Sequence, residues 1–122
     1  MPATSPTARN ARLLRQQAIN ASFVAAKAPN RSYGTEIKKY AMWIEQERVS
    51  GQLPRGPHLV TRKNLDHYFT MVVPYRNGVE STVLMIRRAL VWYVTHRPID
   101  CDPPQIVVVN DVVEKAYLAQ KH

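Results

Sequence analysis

Between Val83 and Val94 the only polar interruption is the adjacent pair Arg87 and Arg88, in a run otherwise made of aliphatic and aromatic side chains. A bilayer span takes roughly 18 to 20 apolar residues, so this stretch is too short to cross a membrane and too apolar to lie on a protein surface. It must be wrapped by the rest of the chain. Asn77-Gly78 before it is a turn signal, and Glu80 or Ser81 opens a helix that runs to about His96. The expected fold is therefore built around one central helix, with Arg87 and Arg88 emerging through a single solvent stripe. The same count excludes an integral membrane protein.

The remaining periodicity supplies the wrapping. The chain has 122 residues, enough for one domain. Residues 1–7 are short, polar and proline-bearing, and read as a flexible end. From Ala8 to Lys27, Leu14, Ala18, Ala21 and Val24 recur at helical spacing, with Arg9, Arg12 and Arg15 off that stripe. Ala28-Pro29-Asn30 breaks the pattern. Ser32 can cap a second helix to about Val49, with Tyr33, Ile37, Tyr40, Ala41 and Ile44 on its core face and Lys38, Lys39, Glu45 and Arg48 solvated. Two glycines and two prolines between Ser50 and Pro57 make a loop. Thr61 caps a third helix whose apolar stripe is Leu65, Tyr68, Phe69 and Val72, with His67 facing outward, and Pro74 ends it. After the central helix, three prolines between Arg97 and Pro104 give an extended segment in which Asp100 and Asp102 are solvated turn residues. Gln105 to Val109 reads as a further extended arm, and Asn110 caps a last short helix with Val112, Val113, Tyr117 and Leu118 apolar. The expected class is all-α: a small orthogonal bundle of four to five helices with an extended proline-rich C-terminal segment. It divides into a basic arm or helix (1–30), a helical core (31–97) and a linker with a short helix (98–122).

Charge points to the partner. Seventeen Lys and Arg against nine Asp and Glu leave +8 and a pI near 10.0. The first 35 residues contain no acidic side chain, whereas residues 99–122 are net acidic. An anionic partner follows, nucleic acid first among them. The acid-free, Arg-rich start also has the look of a mitochondrial transit peptide, although a docking helix fits it as well. Catalytic chemistry is not legible. The four histidines show no ligand spacing, four glycines form no phosphate-cradling loop, and Cys101 lies between two aspartates that oppose its thiolate. No metal, no small-molecule cofactor and no enzymatic activity are expected. A single cysteine suits a reducing, intracellular compartment, the nucleus or nucleoid for a DNA-binding chain.

Three stretches carry a family resemblance. Arg31-Ser32-Tyr33-Gly34-Thr35 runs into Tyr40-Ala41-Met42-Trp43-Ile44. Val60-Thr61-Arg62-Lys63-Asn64-Leu65 leads to Tyr68-Phe69. Val79-Glu80-Ser81-Thr82-Val83 is followed by Ile86-Arg87-Arg88-Ala89-Leu90-Val91-Trp92-Tyr93. In order and separation these resemble the core-binding (SAM-like, N-terminal) domain of tyrosine recombinases and phage integrases, over about residues 31–97. The resemblance implies an all-α domain forming one jaw of a clamp on duplex DNA, with catalysis in a separate C-terminal domain. Its arginine, His-x-x-Arg element and tyrosine nucleophile have no counterpart here, since His96-Arg97 has the wrong spacing.

On that reading the DNA-binding residues are Ser32, Lys38, Lys39, Arg62, Lys63, Ser81, Arg87 and Arg88. The Lys and Arg side chains would neutralise phosphates, and the helix starts at Ser32 and Ser81 would offer backbone amides. Arg87 or Arg88 would read guanine edges. Each group also has a plainer reading: Lys38, Lys39, Arg62 and Lys63 as solvated helix faces, Trp43 and Trp92 as core or interface aromatics. Arg9, Arg12 and Arg15 fit either a basic arm along the DNA backbone or a helix packed on a second protomer. The partner is duplex DNA, with homo-oligomerisation on it; the alternative is a helical protein-interaction or self-assembly module whose basic surface serves an acidic protein.

Overall fold

The computed structural model describes residues 6–76, 79–101 and 105–121. Five α-helices pack together: α1 (Pro6–Ala25), α2 (Arg31–Val49), α3 (Arg62–Met71), α4 (Val79–His96) and α5 (Gln105–Lys121). Short 3-10 turns lie at Val73–Tyr75 and Pro98–Asp100. Among the described residues there is no strand beyond an isolated parallel bridge between Val60 and Cys101. The all-α expectation holds.

The central helix lies where its composition requires. Val83, Ile86, Ala89, Leu90, Tyr93 and Val94 of α4 are buried, and α4 packs against α2 on one side and α5 on another. α5 in turn packs on α3, and α1 lies along α2. The α1–α2 contact is close because alanines line it: Ala18, Ala21 and Ala25 are buried against a helix that carries Gly34. A Cβ at Gly34 would stand 2.7 Å from the Ala25 carbonyl oxygen.

Several local expectations need correction. α1 begins at Pro6, where a proline suits the first helical position because its missing N–H would be unbonded anyway; residues 1–5 and the side chains of Arg9, Leu14 and Tyr117 lie outside the described residues. α2 is capped by Asn30, not Ser32: the Asn30 side chain accepts a hydrogen bond from the Tyr33 amide at 2.9 Å, which places Ser32 inside the first turn. Thr61 caps α3 as expected, accepting from the Asn64 amide at 3.1 Å. The Asn77-Gly78 turn, Asp102 and the two prolines after it lie outside the described residues. The largest difference is at the C-terminus, where Gln105 to Val109 is the start of a 17-residue helix rather than an extended arm. Three consecutive valines disfavour a helix locally, but Val108, Val109, Val112 and Val113 fall on one face and are all buried, so packing overrides propensity.

Three polar side chains expected in solvent are inside. Arg48 is 2% exposed, Asp100 is buried, and His67 is half-buried against Glu47 at 3.1 Å. Arg48 donates to the Gln17 side chain at 2.8 Å and to the His58 carbonyl. Gln17 donates to the Pro57 carbonyl at 2.8 Å, while Tyr40 and Asn64 each donate to the Leu59 carbonyl at 3.0 Å. The amides of Leu59 and Val60 donate to the Asp100 carbonyl. The loop joining α2 to α3 is thus pinned by side chains from three helices, which supplies partners for its backbone groups where Leu59 and Val60 enter the core.

Candidate nucleic-acid interface

The face of α4 opposite its buried stripe carries the chemistry. Ser81 and Arg88 are two helical turns apart on that face and both are exposed, as is Arg87 beside them. Arg88 makes no ion pair among the described residues. Tyr33, Arg87, Arg88, Val91 and Trp92 line an open groove of about 450 Å³, with no carboxylate among its described lining residues. Trp92 is half-buried, and His96, one turn on, stacks on it with ring centroids 4.3 Å apart. The His96 Nδ1 lies 2.9 Å from the Trp92 carbonyl oxygen, so both rings are held by the helix itself.

Arg87 reaches towards α5, its Nε donating to Asn110 Oδ1 at 3.1 Å. The next residue of α5, Asp111, accepts from Arg62 at 3.0 Å. One turn of α5 therefore joins the start of α3, with Arg62 and the exposed Lys63, to the middle of α4. Four of the eight expected residues, Arg62, Lys63, Arg87 and Arg88, are brought to one connected surface, and Ser81 shares the α4 face with Arg88. Arg62 is partly neutralised there by Asp111.

The other three stand apart. Ser32 is exposed in the first turn of α2, next in the chain to Tyr33. Lys39 lies 4.0 Å from Glu36 and lines a separate groove with Met42, Trp43 and Arg76. Lys38 is exposed on the outer side of α2, and no contact links it to the α4 groove.

The buried polar groups do structural work. Glu36 holds Arg76 through both carboxylate oxygens, one at 2.8 Å, and this bond raises the Arg76 pKa. Asp100 accepts from the Tyr93 hydroxyl and from Arg97 at 2.9 Å, fixing the end of α4 to the turn that follows. Burial, helped by Asp100, pushes the Cys101 thiol up to about 12, so it is not a thiolate nucleophile at neutral pH. Among the described residues no cluster of His, Cys, Asp and Glu could hold a metal ion, and no described helix is long and apolar enough to cross a membrane.

No family model matches the chain, and neither curated proteins nor solved structures yield a match. The surface must speak for itself. It adds two residues: Tyr33, expected in the core, and Trp92, expected in the core or at an interface, are half-buried, pack against the core and also line the groove. A signal existed in the Arg88-x-x-x-Trp92 spacing, which places the two side chains on one helix face.

Proposed function

We propose that this chain is a DNA-binding module of the kind its three central helices resemble, the core-binding clamp domain of a tyrosine recombinase, acting without a catalytic centre of its own. A SAM-like orthogonal arrangement of those helices belongs to the same proposal. The observation that supports it is the set of exposed cations Lys63, Arg87 and Arg88, none of them in an ion pair among the described residues, together with the groove at Arg87 and Arg88, whose described lining residues include no carboxylate. Unpaired exposed guanidinium and ammonium groups are free to displace counterions from phosphates, which supplies affinity without sequence reading. Arg88, exposed at mid-helix, has the reach and fork geometry for a guanine edge if α4 enters the major groove.

Fluorescence anisotropy with a random-sequence duplex tests the reading. A protein making about four phosphate contacts should lose roughly a hundredfold in affinity between about 50 and 200 mM salt. Absence of binding at the lower salt would overturn it.

The second reading, self-assembly or protein docking, is favoured by α1. Ile19 and Phe23, one turn apart, are 43% and 69% exposed on the same outer face as Arg12 and Arg15. Sedimentation without DNA checks it: a concentration-dependent dimer abolished by Phe23→Asp supports assembly through α1, and a monomer at all concentrations contradicts it.

A further inference from the structure

We infer that the α4 groove holds an unpaired nucleobase, so that this surface grips a single-stranded or extruded nucleotide in addition to the phosphates of a duplex. The inference deepens the proposed function and rests on it. The groove offers two flat aromatic rings, Tyr33 and Trp92, beside two exposed guanidinium groups, Arg87 and Arg88, and Val91 completes an apolar floor. Duplex phosphates need only charge. An aromatic floor adds nothing to them, whereas every unstacked base has a π face that such a floor accepts.

The Trp92 ring is also preorganised: His96 stacks on it with an interplanar angle of 26°. Little freedom of that ring remains to be lost on binding, the condition under which stacking contributes most. Charge decides between an oligonucleotide and a neutral apolar ligand. The groove at the junction of α3 and α5 includes Asp66, and the one between α4 and α5 includes Glu114, each placing a carboxylate where a phosphate would have to pass. Among the described residues that line it, the groove at Trp92 carries only positive charge, so a base can stack while its own phosphate lies against Arg88.

The test uses the full chain in a Trp43→Phe background, where Trp92 is the sole indole. Titration with oligo-dT should quench Trp92 fluorescence, and the same salt series with duplex reports backbone binding in parallel. Trp92→Ala, which has no indole in that background and is followed instead by the anisotropy of end-labelled oligo-dT, should weaken oligo-dT binding about tenfold, within the range for loss of one base–aromatic stack, and should weaken duplex binding much less. Arg88→Ala, at an exposed position that folding does not depend on, should weaken both. Should Trp92→Ala unfold, Trp92→Phe replaces it in the same anisotropy assay: its smaller ring should weaken oligo-dT binding by less than about tenfold and duplex binding less still. Duplex binding with no quenching by oligo-dT overturns the base-stacking inference and leaves the DNA-binding reading standing. Failure of both ligands overturns both. Equal quenching by poly-glutamate overturns the inference in favour of an acidic protein partner.

Discussion

Arg48 is a charged side chain in the core with no carboxylate in salt-bridge reach among the described residues, and it shows how single residues hold this fold. Burial lowers its pKa while the neighbouring Tyr40 opposes that shift, and its bonds to Gln17 and the His58 carbonyl tie α1 and the α2–α3 loop to α2. Arg48→Ala takes the donor away from Gln17 Oε1 and from the His58 carbonyl. It should cost about 2 to 4 kcal/mol in urea unfolding. Glu45→Ala, which removes only a 3.8 Å contact to an Arg15 side chain that is 73% exposed, should cost under about 0.5 kcal/mol. Equal effects would show that Arg48 is not the latch. Its burial was legible in spacing, since Ile37, Ala41, Ile44 and Arg48 recur at four, three and four residues; the general rarity of buried arginine outweighed the period. Asp100 hid for the same reason. Its proline-rich context signalled a turn, but only the fold brings Tyr93 and Arg97 to its carboxylate.

Whole elements were legible where apolar period and capping chemistry agreed. Thr61 caps α3, and of the apolar run of α4 Val83, Ile86, Ala89, Leu90, Tyr93 and Val94 are buried while Leu84, Met85, Val91 and Trp92 are half-buried. They were illegible where local preference and tertiary packing conflict, as at Val107 to Val109, whose β-branched run reads as extended until a partner face for Val108 and Val109 exists in α3 and α4. The α1–α2 contact was likewise out of reach, because nothing in the order of residues shows that Gly34 meets Ala25. Gly34→Ala should force α1 away from α2 and destabilise the protein by about 1 to 3 kcal/mol, although alanine is the better helix former by about 1 kcal/mol. An unchanged or raised melting temperature in that variant would mean that α1 does not dock as described. Of the candidate site, the basic residues were visible as charge, but their grouping was not: Asn110 and Asp111 of α5 join Arg87 to Arg62, and α5 began in a segment read as extended.

At the scale of the molecule, the core keeps several acidic protons that burial holds on. The Cys101 thiol moves from 9.0 to about 12, and Tyr40 and Tyr93 are raised by burial as well. A pKa raised by folding gives stability that is complete below the unfolded value and is lost as pH climbs towards the folded one. The protein should therefore lose stability from pH 9.0 towards about 12, and Cys101→Ala should flatten the first part of that loss in pH-dependent urea midpoints. A wild-type profile flat over that range would contradict the burial described for these groups. The basic surface is separate from those groups, because Arg87 and Arg88 are exposed on the opposite face of α4 from Tyr93. Its role is tested most directly by the salt dependence of duplex binding for wild type against Arg87→Ala with Arg88→Ala, folding verified by circular dichroism. If α4 faces the DNA, the variant binds more weakly and its log–log salt slope is shallower by about one to two units. Affinity and slope equal to wild type would place the DNA, if it is bound at all, on another face of the molecule.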